Sequence, residues 1–319
     1  MRILVTTPYE RDSLQGNTVT AKRLVSIFSE AGLSAEIVAK GEKVSHADVL
    51  IALHARKSAH YIEDFVSLNP DGRVIVYLTG TDLYYDIPAG CELCERSMKE
   101  ADTLVVSQES SLASVPEIYK HKAVVAQKSI QLPEGFAENC SIQDLQDSDI
   151  FLCVGHLRSV KQPFMSVEAL QLIDAPISLR LLGGEVSPGL GDVAREWQDA
   201  EDRFQWLGRV SYEKTLQWIQ KSKVTINTSL IEGGANSVGE SIVLGVPVLA
   251  SKIEGNVGML GEEYAGYFSV EDKQRLADLM QRVRTDESFL QTLRDQVSAR
   301  SKKFSRDNEM KDWMSILGK

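Results

Sequence analysis

Residues 224–251 read VTINTSLIEGGANSVGESIVLGVPVLAS, and this stretch decides the fold. Its β-branched start predicts a strand over Val224–Asn227, and the glycines that follow predict a loop. A helix is predicted from about Asn236 to Leu244, and a second strand is predicted over Val246–Ala250. A strand, a loop, a helix and another strand in this order form the repeating unit of a parallel α/β sheet.

The same alternation extends through most of the chain. Further strands are predicted over Ile3–Val5, Ala35–Ala39, Val49–Leu53, Arg73–Leu78, Leu104–Val106, Ala123–Val125, Phe151–Val154, Ser178–Leu182 and Phe204–Leu207. Helical patterns lie between several of these strands, including one over Ser110–Tyr119. The sequence therefore predicts an α/β protein with two Rossmann-like, doubly wound domains.

A polar stretch separates the two halves. Between about Ser129 and Asp149 the alternation gives way to Gln, Pro, Glu, Asn, Ser and Asp, which is typical of a linker between domains. We predict an N-terminal domain over residues 1–140 and a C-terminal domain over 150–304. The last segment, residues 305–319, is a predicted helix whose apolar face includes Trp313, and we expect it to pack back on the first domain.

Composition narrows the range of partners. The chain has 319 residues, of which 43% are hydrophobic and 25% are charged, as in an ordinary globular protein. Its formal net charge of -10 repels polyanions on average, so we expect neither nucleic acid nor an anionic membrane as a partner. The first residues lack an apolar run long enough for a signal peptide, which favours a cytoplasmic location. The oligomeric state stays open.

The cysteines do not have the spacing of a metal site. Cys91 and Cys94 form the one Cys-x-x-Cys, and Cys140 and Cys153 supply no second pair. Because Cys91 and Cys94 lie in a stretch of helix-forming residues, we predict thiols on one helix face and no bound metal.

Two loops of the second half have the composition of an anion site. Glycines before a helix let backbone N–H groups approach a phosphate, and Glu232 and Glu240 on either side can accept hydroxyl hydrogen bonds. Spacing alone leaves open whether these two carboxylates are simply solvated. Arg158 and Lys161 follow the first strand of this half, where doubly wound folds bind diphosphates. The candidate ligand-binding residues of these two loops are Gly155, His156, Gly233, Gly234, Ala235, Asn236, Ser237 and Glu240.

Loops of the first half also carry cations and small polar residues at strand ends. His54, Arg56 and Lys57 follow one predicted strand, Thr79 and Thr81 follow the next, and a glycine precedes the first helix. Ligands of open α/β sheets bind at such carboxyl ends. His54 fits either a base or a hydrogen-bond donor to an acidic substrate. The candidate ligand-binding residues of the first half are Gly16, Asn17, His54, Arg56, Lys57, Thr79 and Thr81.

These motifs resemble those of known enzymes. Glu232-x7-Glu240, the following Gly245-Val246-Pro247-Val248 and the Gly155–Lys161 turn resemble the donor half of GT-B glycosyltransferases of family four. The order of the loops along nearly the whole chain resembles the selenosugar synthases of selenoneine biosynthesis, which join a UDP-sugar to selenophosphate through a selenium–carbon bond. The resemblance implies two domains facing across a cleft, with no metal or other cofactor.

The resemblance also implies roles for single residues. Glu232 would hold sugar hydroxyls, Glu240 would hold the ribose, and Arg158 and Lys161 would neutralise the diphosphate. His54 joins Arg158, Lys161 and Glu232 as the implied catalytic set. The UDP-sugar is the implied donor, with either UDP-GlcNAc or UDP-glucose fitting Glu232.

Two positions depart from the family pattern. The family places Arg directly after the glycine, where this chain has His156, so either His156 or Arg158 meets the diphosphate. The histidine that often precedes Gly-Thr-Asp is here Thr79. Selenophosphate is already an anionic nucleophile, so its site needs cations more than a base.

Other functions stay open at this level. A transferase with a sugar, thiol or lipid acceptor, a UDP-sugar 2-epimerase and a sensor that binds UDP-sugar without turnover all fit the donor motifs. No residue fixes the anomeric outcome.

Overall fold

A computed structural model describes residues 1–13, 15–133, 135–136 and 149–319. The chain divides into two units, one of Met1–Ser129 with Arg306–Lys319 and one of Ile130–Ser305. Each unit contains a six-stranded sheet, and every strand pair in both sheets is parallel. The predicted α/β class with two Rossmann-like halves is confirmed.

The first unit has the sheet order β2-β1-β3-β4-β5-β6. Its strands are β1 (Arg2–Thr6), β2 (Ser34–Val38), β3 (Val49–Leu53), β4 (Arg73–Tyr77), β5 (Thr103–Val106) and β6 (Ala123–Val125). Its first helices are α1 (Gly16–Glu30), α2 (Ala59–Leu68) and α3 (Glu92–Glu100). All five residues of β3 are buried, as expected of a central strand that is covered on both faces.

The second unit has the sheet order β12-β11-β10-β7-β8-β9. Its strands are β7 (Ile150–Val154), β8 (Ser178–Leu182), β9 (Phe204–Gly208), β10 (Val224–Asn227), β11 (Val248–Ser251) and β12 (Tyr267–Phe268). Its helices are α4 (Met165–Leu170), α5 (Leu190–Ala200), α6 (Tyr212–Lys221), α7 (Asn236–Val243), α8 (Glu254–Leu260), α9 (Lys273–Thr285) and α10 (Glu287–Ser301).

Each sheet has one point at which the strand order reverses direction. In the first unit the chain moves from β1 outward to β2 and then returns to β3 on the other side. In the second unit it moves from β7 to β8 and β9, and then returns to β10 beside β7. Loops at the carboxyl ends of strands on either side of such a reversal form the usual ligand crevice of open α/β sheets.

The last helix belongs to the first unit. Helix α11 (Arg306–Ile316) places Trp313 in that unit's core, where its ring lies 5.5 Å from the ring of Phe28. The buried carboxylate of Glu309 accepts hydrogen bonds from Arg23 Nε at 3.0 Å and from the Ser129 backbone N–H at 2.9 Å. This buried charge pair, with its added hydrogen bonds, holds α11 against α1.

Two local predictions were wrong, and one strand was missed. The helix predicted over Ser110–Tyr119 is two short 3-10 helices, Glu109–Ser114 and Glu117–Lys122, because Pro116 between them cannot continue a helix. Strand β11 begins at Val248 rather than Val246, since Pro247 has no N–H for the ladder. Strand β12 was not predicted, because two residues are too few to form a periodic pattern.

Candidate active site

Two glycine-containing loops meet at the carboxyl ends of β7 and β8. The Gly155 N–H donates to the Leu182 carbonyl at 2.8 Å, and the Leu157 N–H donates to the Gly184 carbonyl at 3.0 Å. A Cβ on Gly183 would lie 2.0 Å from the Gly155 carbonyl oxygen, and Gly183 has a φ of +139°. Only glycine permits this backbone conformation together with such a close approach.

His156 is held as a neutral hydrogen-bond donor. Its Nδ1 accepts a hydrogen bond from the Gly184 N–H at 3.0 Å, which leaves the ring proton on Nε2. Burial lowers the pKa of His156, and the neighbouring Arg209 guanidinium lowers it further. The positive charges of this loop are therefore those of Arg158 and Lys161.

Arg209 is a residue that the sequence analysis missed. It directly follows β9, and its Nε would lie 3.3 Å from a Cβ placed on Gly184. Its position after the last residue of a predicted strand was the available signal. Arg209 adds a cation next to the loop that contains His156.

An ion pair joins the two predicted donor motifs. Lys161 Nζ pairs with Glu232 Oε1, and the Ser229 hydroxyl donates to the same oxygen at 2.6 Å. The side chains of Lys161 and Glu232 are 25% and 11% exposed. These residues lie in the loops after β7 and β10, at the point where the strand order reverses. The pair thus lies where the topology predicts a ligand.

Backbone contacts fix the distance between the same two loops. The Leu230 N–H donates to the Val160 carbonyl at 2.9 Å, and the Thr228 hydroxyl donates to the Lys161 carbonyl at 2.8 Å. A Cβ on Gly255, in α8, would lie 2.0 Å from the Glu232 carbonyl oxygen. The backbone on either side of the ion pair is therefore rigidly packed.

The glycine-rich loop leads directly into α7. Helix α7 begins at Asn236, after an extended Ala235 that has no side-chain cap, and Gly234 has a φ of +133°. Gly233 and Ser237 flank these residues, so the predicted donor loop is one continuous turn into a helix start. Glu240 lies in α7 and is 7% exposed. The helix start provides the geometry that favours an anion.

Asp82 ties together two loops of the first unit. Its Oδ2 accepts the Ala55 N–H at 2.8 Å, and its Oδ1 accepts the Thr79 N–H at 2.8 Å and the Thr79 hydroxyl at 2.7 Å. Asp82 is fully buried. The sequence analysis missed it, although it directly follows Thr81 in the Gly-Thr-Asp motif. The Thr79 hydroxyl therefore donates its proton to a hydrogen bond with this carboxylate.

His54 is buried next to the two loops that Asp82 joins. Its side chain is 2% exposed, and its Nδ1 and Nε2 lie 3.8 Å from Asp82 Oδ2 and 3.9 Å from Asp86 Oδ2. Burial, together with the nearby cations Lys57 and Arg56, lowers the pKa of His54, although Asp82 and Asp86 act to raise it. The imidazole is therefore neutral at neutral pH.

The two neighbouring cations take different partners. Arg56 Nε lies 2.9 Å from Asp86 Oδ2, and the Arg56 side chain is 41% exposed. Lys57 Nζ donates to the hydroxyl of Tyr9 at 2.7 Å. Tyr9 lies in the loop after β1, so Lys57 links the loops on either side of this unit's strand reversal. Two cations thus lie at the corresponding position of the first sheet.

The remaining candidates lie at the start of α1 and just before the turn that follows β4. Gly16 and Asn17 are the first residues of α1, and the buried hydroxyls of Thr7 and Thr18 hydrogen-bond at 3.0 Å beside them. Thr81 is exposed and precedes a single π-helical turn over Asp82–Asp86. The structure brings His54, Arg56 and Thr79 together around the carboxylates of that turn.

The described ranges contain no group of three or more His, Cys, Asp or Glu side chains arranged to hold a metal ion. Within the same ranges, none of the helices has the length and apolar character needed to cross a membrane.

The second unit matches a known protein family. The family described as glycosyl transferases group 1 matches residues 140–304, which is more than half of the chain. This chain belongs to the group 1 glycosyltransferases. It is therefore an enzyme of the glycosyltransferase class, with the two-sheet GT-B fold.

Solved structures support the same fold for this glycosyltransferase. HepE from Anabaena, in complex with UDP and glucose, is 14% identical over 100% of this chain and 99% of its own, with a TM-score of 0.77. A sucrose-phosphate synthase from Thermosynechococcus elongatus is 15% identical over 99% of this chain and 98% of its own, with a TM-score of 0.75. At these identities the similarity concerns the fold.

The close approach of the Gly155 and Gly183 loops predicts the effect of one added methyl group. We expect Gly183→Ala to lower the free energy of unfolding by about 2–4 kcal/mol, since it combines backbone strain with a steric clash. The measurement is the urea-unfolding midpoint of the full chain.

Gly189→Ala is the matched control. Gly189 also has a positive φ, +87°, but nothing lies within 4 Å of the position that its Cβ would occupy. It should lose only about 1–2 kcal/mol from backbone strain. Equal losses in the two variants would mean that the contact between the loops contributes nothing.

Proposed function

We propose that this glycosyltransferase moves the sugar of a UDP-sugar, such as UDP-GlcNAc or UDP-glucose, onto selenophosphate and so makes a selenosugar for selenoneine biosynthesis. A selenium lone pair forms the new bond to the anomeric carbon, and the phosphoryl group of the acceptor stays on selenium. The bond from that carbon to the diphosphate oxygen breaks, and its electron pair leaves with UDP. Membership of the group 1 family supports the transfer, and the order of the loops along the sequence supports the acceptor.

In the second unit, a bound donor would separate the Lys161–Glu232 ion pair. A UDP-sugar brings a diphosphate, which is the stronger partner for Lys161, and sugar hydroxyls, which are donors for Glu232. Arg158 would add a second cation, His156 would donate from Nε2, and Glu240 would accept from the ribose. The chain's own cations would then neutralise the leaving group without a metal ion.

In the acceptor half, one observation carries the choice of selenophosphate. Arg56 and Lys57 lie at the end of β3, while the hydroxyl of Thr79 is committed to Asp82. A neutral alcohol acceptor needs a base to remove its proton, and Thr79 stands where the family's histidine would be. An acceptor that is already a soft anion needs positioning by cations, which this loop supplies.

The proposed reaction predicts a defined set of products. The purified protein is incubated with UDP-GlcNAc or UDP-glucose and one of three additions: selenophosphate, a small thiol or no acceptor. With selenophosphate we expect UDP release and a product that contains both selenium and the sugar, identified by mass spectrometry. Turnover with the thiol but not with selenophosphate, or epimerisation of the donor without an acceptor, would contradict the proposal.

The role of Lys161 gives a second prediction. We expect Lys161→Met to lower kcat/KM for the UDP-sugar by about 100-fold or more, because it removes a cation from the leaving group. Initial rates at varied donor concentration measure this loss.

Lys223→Met is its matched control. Lys223 is also a partly buried lysine of the second unit, paired with Asp149 at 3.0 Å, but it precedes β10 rather than following a strand. It should retain nearly wild-type kcat/KM. If both variants lose activity equally, Lys161 acts through the stability of the unit and not through the donor.

A further inference from the structure

The polar groups around His54 are buried but not satisfied. His54 Nδ1 and Nε2, Arg56 Nε and Asp86 Oδ2 are all shielded from solvent, and none makes a well-aligned hydrogen bond. Asp86 Oδ2 nevertheless lies 2.9 Å from Arg56 Nε and 3.9 Å from His54 Nε2. Groups that are buried without hydrogen bonds are rare in proteins, and they point to a change of partner or of protonation during function.

Asp82 provides the contrast within the same cluster. It is as deeply buried as His54, yet both of its oxygens accept hydrogen bonds from the Ala55 and Thr79 backbone. The loop is therefore well ordered around Asp82. Of the unsatisfied atoms, Arg56 Nε and Asp86 Oδ2 lie on the side where Arg56 reaches solvent, and His54 Nδ1 faces Asp82.

Charged groups reach His54 from two sides. Its own loop contributes the cations Arg56 and Lys57, and the turn after β4 contributes the carboxylates Asp82 and Asp86. Helix α3 places the Cys94 thiol near the same two carboxylates, and burial raises the pKa of this thiol. The two carboxylates favour a proton on His54, while burial and the two cations oppose it.

We propose that binding of a tetrahedral dianion at Arg56 and Lys57 is coupled to the uptake of one proton from solvent by His54. This inference rests on the acceptor position given above and adds the regulation of that position. Asp86 is its positioning residue, because it faces both Arg56 and His54.

The coupling follows from the charges. A dianion at Arg56 and Lys57 cancels the two cations that oppose protonation of His54, and it adds negative charge nearby. It also draws the Arg56 guanidinium toward itself, which leaves Asp86 Oδ2 free to accept from His54 Nε2. The protonated ring then has a carboxylate facing each nitrogen, Asp82 at Nδ1 and Asp86 at Nε2.

Linkage fixes the pH dependence. If the anion strengthens proton binding by some factor, the proton strengthens anion binding by the same factor. Affinity for the anion should therefore rise as the pH falls through the range where His54 titrates, and should be weakest where His54 is neutral. The bound acceptor would thus favour a proton on His54, and that proton would make the site more cationic.

The test uses sulfate, a tetrahedral dianion that does not titrate near neutral pH. The ring-proton NMR signals of the histidines are followed across about pH 5 to 9, at constant ionic strength, with and without sulfate. Saturating UDP is present throughout, so that sulfate does not report on the donor loops. We expect sulfate to raise the proton affinity of His54 by about tenfold or more, and its own Kd to fall by the same factor at low pH.

Variants separate the coupling from the site itself. His54→Asn should make the sulfate Kd independent of pH, and asparagine tolerates the φ of +76° at this position. Asp86→Asn should weaken the coupling, and rescue by Asp86→Glu would support a positioning role. His60→Asn removes an exposed histidine of the same unit and should behave as wild type.

Two results overturn the proposal in distinguishable ways. If sulfate binds in an Arg56-dependent manner and the titration of His54 does not change, the coupling is wrong while the acceptor position stands. If Arg56→Gln leaves sulfate binding unchanged, or sulfate does not bind, the acceptor position is wrong as well. Product analysis with selenophosphate tests the reaction separately from either result.

Discussion

The ion pair between Lys161 and Glu232 is the interaction on which the proposed donor site depends. It joins loops that follow β7 and β10, the neighbouring strands at which the order of the second sheet reverses. Each charge satisfies the other, so neither is left buried and unpaired. On the proposed function, a donor that offers a diphosphate to Lys161 and hydroxyls to Glu232 would replace this pair without leaving either charge unmatched.

The first unit uses the same topology with a different distribution of charge. Its sheet reverses between β1 and β3, and Lys57 joins the loops after these strands through the Tyr9 hydroxyl. Each unit also holds a neutral histidine at this edge of its sheet. His156 Nδ1 accepts from the Gly184 N–H while burial and Arg209 lower the pKa of this ring, whereas burial lowers the pKa of His54 beside two carboxylates. His156 is held in one protonation state, whereas we propose that His54 gains a proton when an anion binds.

The fold could be predicted from the sequence where local pattern decides it. The apolar run of β3 indicates a buried strand, and the glycine-rich stretch before α7 indicates a turn into a helix. Both follow directly from the sequence, because the spacing of apolar residues and the residue types of a turn are local properties. The prediction was wrong where one residue overrides a pattern, as Pro116 does, and an element was missed where it is too short, as β12 is.

Only part of the candidate site could be predicted from the sequence. Arg56, Lys161 and Glu232 stand out as charged residues at strand ends, but Lys161 and Glu232 are 71 residues apart and nothing local indicates that they pair. Asp82 and Asp86 were missed for the same reason, because their importance comes from the His54 loop that they face across the sheet edge.

A crystal structure with a bound UDP-sugar tests the central claim most directly, through the positions of Lys161 and Glu232. We predict that the ion pair is broken, with Lys161 Nζ on a phosphate oxygen and Glu232 accepting from a sugar hydroxyl. An intact Lys161–Glu232 pair, with the diphosphate held by other residues, would contradict it.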